Sequence, residues 1–273
     1  MLKHHFVCRG IALGIAFCAG GFPALAQEDE RHFWSGDWSL TVGATGLAGP
    51  RFEGSGSRVF RAAPLISFGR QGNTARFTSR NDNPSFAIID TTRFRTGVTG
   101  KLLFGRDEDT SDDLKGLDPV KWGAEAGAFA EVYPLEWMRV RAEVRHGIRS
   151  HDGVVGDLSA DAFADVTPVI RVSAGPRLSF ASAGYFDAYY GVDAEEAAAS
   201  DLAEYHPGSG IKSVGFGGAI TWKTTDQITT SLFAEYERLK GPAADSSLVR
   251  ERGSADQLTI GLSATYRFDF TLP

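Results

Sequence analysis

The sequence is poor in the residues that carry covalent and metal chemistry. It contains two cysteines in 273 residues, and both lie near the N-terminus, at Cys8 and Cys18. The six histidines have no metal-site spacing, and neither a nucleophile elbow nor a phosphate-binding loop is present. We therefore expect no catalytic residues, no cofactor and no metal, and we do not expect an enzyme.

Long apolar runs are also missing after Ala26, which excludes a helical membrane protein. Before it, Lys3 and Arg9 precede a short apolar stretch that ends at Ala24-Leu25-Ala26. This pattern predicts a cleaved secretory signal peptide over residues 1–26, which would remove both cysteines, and a periplasmic segment over 27–36. The net charge of -6, with scattered basic residues, argues against a nucleic-acid partner.

The clearest pattern is a period-two alternation at the end of the chain, from Asp256 to Phe270. Positions between the apolar residues are polar or small, so one face of this strand suits lipid and the other suits water. A tilted membrane strand needs about 9–11 residues, whereas soluble strands are about half that length. The apolar row is Leu258, Ile260, Leu262, Ala264, Tyr266, Phe268 and Phe270.

The same alternation recurs upstream and predicts an all-β fold. We expect a transmembrane up-and-down antiparallel β-barrel of about twelve strands over residues 37–270, with short periplasmic turns and long extracellular loops. Strands three and four are predicted near 74–79 and 85–89. Strand eight is predicted over 160–172, between a long connection at 147–159 and a turn at 173–175, and a short helix over 194–202. The rival is a periplasmic β-protein, although a sandwich does not predict alternating short and long connections.

Charged residues recur on the faces predicted to point inward. A ladder of Arg139, Arg141 and Arg145 could select anions in an open pore. Alternatively, these charges could pair and fill the lumen. The acidic connection at 105–120 could chelate a divalent cation through its carboxylates, but it lacks calcium-loop spacing, so a simply solvated loop is the alternative. The candidate lumen residues are Arg61, Arg95, Glu125, Arg139, Arg141, Glu143, Arg145, Glu235 and Arg267.

A set of loop residues forms a recognisable motif, which is densest over the last third of the chain but runs the mature length. Its members in the later loops are Tyr190, Gly191, Val192, Ser200, Tyr205, Asp245, Ser246, Leu248 and Val249. Together with Gly54-Ser55 in the first loop and the terminal Tyr266-Arg267-Phe268, these residues resemble the MltA-interacting protein (MipA/OmpV) family of outer-membrane proteins.

The resemblance implies an outer-membrane location, with outer-membrane lipid and lipopolysaccharide as neighbours. It implies a non-catalytic scaffold or envelope protein that links a murein transglycosylase to a murein synthase. Other members are porin-like or adhesin-like, so a small-solute channel, with a preference for anions, and an adhesin acting through its long loops are the alternatives. We expect Tyr266, Phe268 and Phe270 to form the signal that the barrel-assembly machinery recognises.

Overall fold

The computed structural model describes residues 35–70 and 77–272, so the predictions for residues 1–26 and 27–34 lie outside the described residues. Most of the described chain is β-structure. The strands are β1 (Gly36–Pro50), β2 (Arg58–Arg70), β3 (Ser85–Asp90), β4 (Phe94–Leu103), β5 (Gly123–Leu135), β6 (Met138–Ile148), β7 (Val154–Asp165), β8 (Ile170–Ala181), β9 (Gly210–Lys223), β10 (Ile228–Leu239) and β11 (Asp256–Leu272).

The strands form one antiparallel sheet in the order β2-β1-β11-β10-β9-β8-β7-β6-β5-β4-β3. Consecutive strands pair with each other except for β2 and β3, and β1 meets β11 through a register that runs from Gly36↔Leu272 to Ala48↔Ile260. This confirms the antiparallel up-and-down topology. Short turns join the strands at one end of the sheet, hereafter the turn end, and longer connections join them at the other, hereafter the loop end. The turn end is the periplasmic end and the loop end is the extracellular end.

The burial pattern is the reverse of that in a water-soluble protein. Glu131 is 1% exposed and Arg145 is 1% exposed, whereas Leu262 on the opposite face of the sheet is 54% exposed. Alternation places these two residue classes on opposite faces, and only lipid makes the apolar face favourable. Among the described residues, no helix has the length and apolar character required to cross a membrane.

The predicted strand over 160–172 and its turn at 173–175 are wrong. β7 starts at Val154, so the connection after β6 is short, and the next turn occupies 166–169. There the Thr167 hydroxyl accepts hydrogen bonds from the amides of Val169 and Ile170, at 3.3 and 2.9 Å. Gly175 lies inside β8, where only glycine fits because a Cβ would collide with the carbonyl oxygen of Ala160. Its role is close strand approach, not turning.

The described chain contains eleven strands, not twelve. β2 and β3 run in the same direction and form the two edges of the sheet, and residues 77–79, assigned to the predicted third strand, are not in a strand. The rest of that prediction, residues 74–76, lies outside the described residues. We call residues 77–84 the internal segment, because its side chains contact inward-facing residues of the sheet.

The loops fold together into a cap at the loop end, comprising residues 51–57, 104–122, 149–153, 182–209 and 240–255. Two clusters of buried apolar side chains hold the cap, one around Phe186 and Tyr190 and one around Phe52 and Leu248. The helix predicted within 194–202 is confirmed. The cap helices are α1 (Ala183–Tyr190), α2 (Ala194–Ser200) and α3 (Gly241–Asp245), with a 3₁₀ turn at Asp112–Leu114 and a π-helical turn at Leu248–Arg252.

Candidate functional site

The centre of the lumen is an ion-pair network built on β6. Arg145 donates to Glu125, Glu143 and Asp157 at 2.7, 2.5 and 2.5 Å. Period-two alternation places Glu143 and Arg145 on the same inward face of β6, while Glu125 and Asp157 come from β5 and β7. Glu125 is also 3.2 Å from the Nε2 atom of His151. A guanidinium surrounded by three carboxylates is neutralised locally and offers little attraction to a passing anion.

The other two arginines of the predicted ladder are also paired. Arg141 donates to Glu131 and Glu143, with both distances between 2.8 and 2.9 Å. Arg139 donates to Asp161 at 2.9 Å and makes a two-pronged contact with Asp82 at 2.6 and 2.8 Å. Such paired geometry is the strongest arrangement between arginine and a carboxylate. All three arginines are buried.

The internal segment supplies Asp82 and several further contacts with different strands. The Phe77 ring stacks on Phe163 of β7 with centroids 4.7 Å apart. Ser79 accepts a hydrogen bond of 3.2 Å from Arg177 of β8. Arg80 lies over the ring of Phe233 on β10, 4.8 Å from its centroid. The segment is therefore tied to the inner faces of three different strands.

Two more side-chain contacts fix residues 81–83 of the internal segment. Asn83 donates to Glu143 at 2.7 Å, and Asn81 donates to Glu235. The carbonyl oxygen of Pro84 then accepts from the amide of Gly100 at 3.0 Å, where the chain joins the sheet. The segment thus crosses the interior between β10 and β6.

The predicted lumen residues fall into two groups. Arg95 joins the network through Glu131 at 2.8 Å, and Glu235 is contacted by the internal segment. Arg61 instead is exposed and donates to the carbonyl oxygen of Pro50 at 2.9 Å. Arg267 is half-exposed and pairs with Asp269 on its own strand at 3.2 Å. The structure brings together the remaining residues, namely Glu125, Arg139, Arg141, Glu143 and Arg145.

Two functional features were missed from the sequence. Asp82 lies in a connection without alternation, so nothing in the pattern indicated that it points inward. Glu53 lies in the first loop and accepts hydrogen bonds from the hydroxyls of Tyr185 and Tyr190, at 3.1 and 2.7 Å, and from Lys212 at 2.9 Å. A carboxylate directly after the aromatic Phe52 in a glycine-rich loop was the only available signal.

Glu53 is the electrostatic centre of the cap. Burial favours a higher pKa for Glu53, but the Lys212 ammonium, with hydrogen bonds from Lys212 and Tyr190, outweighs burial and lowers its pKa below the usual range. Burial, reinforced by the Glu53 charge, raises the pKa of Tyr185 and of Tyr190 well above that of a free tyrosine. These tyrosines therefore stay neutral donors to a charged carboxylate.

The residues that carry the family resemblance hold the cap together. Ser246 donates to the carbonyl oxygen of Tyr190 at 2.8 Å, and Val192 and Tyr205 form a backbone bridge. The remaining members are distributed as follows: Ser200, Leu248 and Val249 are buried, Gly191 ends α1, and Asp245 is exposed at the end of α3. Most of this motif therefore packs the loops against each other.

The aromatic residues of the predicted assembly signal lie near the turn end of β11. Tyr266 and Phe268 are exposed on the outward face with ring centroids 4.6 Å apart, and Phe270 is half-buried opposite Trp38. This is the position of an interfacial aromatic girdle. Their recognition by the assembly machinery stays a prediction.

The described residues bring no three histidine, cysteine or acidic side chains together in an arrangement that could hold a metal ion. The acidic loop instead uses its carboxylates locally. Asp107 accepts from Thr110, and Asp112 pairs with Lys115 at 2.6 Å. The geometry is that of a structural loop.

The comparison with known proteins decides the family. The model of the family described as "MltA-interacting protein MipA" matches residues 42–268. The chain belongs to this family. It is 28% identical to the outer membrane protein OmpV of Vibrio cholerae, covering 96% of this chain and 98% of the relative. It is also 28% identical to the outer membrane protein Omp26La of Vibrio anguillarum, covering 85% and 87%.

This MipA-family protein is located in the outer membrane, and its relatives are named as outer membrane proteins. Among solved structures it is similar to a "Bacterial polysaccharide outer membrane secretin", with 12% identity, a TM-score of 0.42, and coverage of 85% of this chain and 98% of that one. It is also similar to Neisserial surface protein A, with 9% identity, a TM-score of 0.29, and coverage of 85% and 97%. Neither likeness is close enough to indicate function.

Proposed function

We propose that this protein is a closed, non-catalytic outer-membrane scaffold that binds a murein transglycosylase at its periplasmic turns. The observation that carries the proposal is the filled lumen. Conduction requires a continuous wet path with accessible charges or dipoles along it. Here the internal segment crosses the interior, and the arginines of the ladder are each held by carboxylates.

The cap covers the lumen at the loop end, which also supports a protein that does not conduct. Its buried clusters include Tyr190, Leu239 and Val249, and Leu248 packs with Phe52 below the outer surface. Buried apolar contacts of this kind rigidify loops that would otherwise be free. A transported solute would have to displace both the cap and the internal segment.

The periplasmic end provides a small surface for a partner. The turns there are 91–93, 136–137, 166–169 and 224–227. Trp137, Val166 and Val169 are each more than half exposed, and the amide of Phe163 donates to the Trp137 carbonyl oxygen at 2.9 Å, which places these two turns side by side. We call these three residues the turn patch. An exposed aromatic flanked by apolar residues is a common anchor of protein interfaces.

The family description names a partner of the transglycosylase type, and the murein lies on the periplasmic side. A scaffold that links this enzyme to a murein synthase needs a periplasmic surface for each contact but no open pore. The proposal therefore assigns binding to the turn patch and stability to the lumen and cap.

Capture of the purified transglycosylase by the protein in lipid nanodiscs tests the proposal. Trp137→Ala and the double variant Val166→Ser/Val169→Ser should reduce capture severalfold without altering heat-modifiable gel mobility. Phe60→Ala, an exposed aromatic near the loop end, is the matched control and should leave capture unchanged. Absence of capture by the unaltered protein, or equal capture by the turn-patch variants, contradicts the proposal. Adding the synthase to the captured complex tests whether both enzymes bind together.

A further inference from the structure

A basic and aromatic patch lies at the outward edge of the cap, where β5 begins and β6 ends. Trp122, directly before β5, is 59% exposed. The guanidinium carbon of Arg149, directly after β6, lies 4.1 Å from the Trp122 ring centroid. Lys121 is exposed beside them. We call Lys121, Trp122 and Arg149 the rim patch.

The position of the rim patch relative to lipid follows from the register of three strands. Leu102, Ala124 and Ile148 are direct neighbours on β4, β5 and β6. Ala124 is two residues from Trp122, and Ile148 directly precedes Arg149, so this row lies next to the rim patch. Leu102 and Ile148 point outward and are well exposed, as is Phe104 above them. This apolar surface faces acyl chains, so the rim patch lies at the height of the head groups of the outer leaflet.

Arg149 is held in this place by its backbone. Its φ angle of 78° is in the left-handed region, which an arginine rarely adopts. On one side, a Cβ at Gly123 would meet the amide nitrogen of Ser150 at 2.6 Å, so only glycine allows this close approach. On the other side, Ser150 and His151 are buried, and His151 is fixed by Glu125. Left-handed backbone at a bulky non-glycine residue is uncommon and persists only where the surrounding structure holds it.

The charges of the rim patch are available to a ligand. Within residues 35–70 and 77–272, no carboxylate lies within the 4 Å limit of an ion pair with Lys121 or Arg149. Lys121 and Arg149 line a cleft that they share with carboxylates such as Asp118 and Asp187, but none of these carboxylates forms an ion pair with either cation. By contrast Arg238, another exposed arginine near the loop end, pairs with Asp256 at 3.4 Å.

We propose that the rim patch binds a phosphate group of the phosphorylated glycolipid, lipid A, in the outer leaflet of the outer membrane. The planar guanidinium of Arg149 is suited to a two-pronged contact with phosphate, and its stacking on Trp122 pre-orders it. Lys121 adds a second positive charge, and Trp122 contacts the sugar or upper acyl region. The proposal rests on the outer-membrane location and not on the scaffold function.

Binding of bisphosphorylated lipid A to the detergent-solubilised protein, measured by native mass spectrometry and thermophoresis, tests the proposal. Arg149→Asn keeps a residue that tolerates the left-handed backbone. The variant Lys121→Ala/Arg149→Asn should bind about tenfold more weakly, as loss of a charged hydrogen bond predicts. Arg149→Lys, which retains the charge without the fork, should lose less affinity. Arg238→Ala should bind as the unaltered protein does.

The lipid itself provides the second arm of the test. Dephosphorylated lipid A should bind about as weakly to the unaltered protein as lipid A does to the double variant, and millimolar inorganic phosphate should not displace lipid A. Equal affinity for both lipids, or full binding by the double variant, overturns the proposal. Displacement by inorganic phosphate overturns the assignment to a lipid. If the double variant fails the gel-mobility test of folding, Arg149→Lys and the dephosphorylated lipid still decide the result.

Discussion

Asp82 and Arg139 are joined by two hydrogen bonds of 2.6 and 2.8 Å, although 57 residues separate them in the chain. This pair fixes the internal segment to β6. Asp82→Ala should destabilise the folded barrel by about 1–3 kcal/mol, because Arg139 loses two charged hydrogen bonds but keeps Asp161. Urea unfolding in lipid vesicles, followed by gel mobility, measures this change. Asp165→Ala, which removes an exposed carboxylate from the partly exposed Arg171, is the control and should have little effect.

Arg145 distinguishes a buried ion network from a surface pair. Arg145→Met leaves Glu125, Glu143 and Asp157 without their shared cation, so we expect a loss of about 3–5 kcal/mol or failure to assemble. Arg171→Met removes a pair between the partly exposed Arg171 and the exposed Asp165, and it should cost about 0–1 kcal/mol. The yield of heat-modifiable protein and its urea midpoint report the difference. Equal effects of both variants would show that the network contributes nothing beyond surface charge.

Glu53 should make the cap sensitive to acid. Because its folded pKa is lowered, its stabilising contribution is complete above the ordinary value of 4.5 and is lost as the pH falls through the lower folded value. Hydrogen exchange of cap amides at neutral pH and at about pH 3 should therefore show acid opening in the unaltered protein and much less pH dependence in Glu53→Gln. Glu204→Gln, at an exposed position in the cap, is the control and should retain the acid opening.

Gly54 should be the least replaceable residue of the first loop. Its φ angle of 98° is left-handed, and a Cβ would lie 2.9 Å from Cγ2 of Val249. Gly54→Ala should cost about 1–3 kcal/mol through backbone strain and displacement of the cap. A Cβ at Gly46, on β1, meets nothing within 4 Å, so Gly46→Ala should be nearly neutral. A thermal shift of similar size in both variants would contradict this account of the cap.

The parts of the fold that depend on alternation were predictable, and the rest were not. The period-two alternation of polar and apolar residues predicts the two faces of β11. The structure agrees, since the polar Gln257 is buried on the inner face and the apolar Leu262 is exposed on the outer face. Alternation does not reveal where a strand ends, so Gly175 was interpreted as a turn residue when it serves close packing. The inward path of Asp82 depends on a pairing with a residue far along the chain, which a single sequence does not encode locally.

The candidate site shows the same division. The charges on β6 were predicted to face inward, and Arg139, Arg141 and Arg145 do so. Whether they line a pore or pair with acids depends on the positions of Asp82, Asp157 and Glu131, which come from three other segments. The family motif was recognisable as a pattern in the sequence. The hydrogen bond from Ser246 to the carbonyl oxygen of Tyr190 could be identified only from the folded loops.

Single-channel recording in a planar bilayer tests the closed-barrel claim most directly. The unaltered protein, confirmed as folded by its gel mobility, should give no discrete conductance steps. A variant in which residues 77–84 are replaced by a glycine-serine linker should conduct, because the internal segment no longer crosses the lumen. Discrete anion-selective steps from the unaltered protein, reduced by Arg141→Ala, would contradict the claim and favour a small-solute channel.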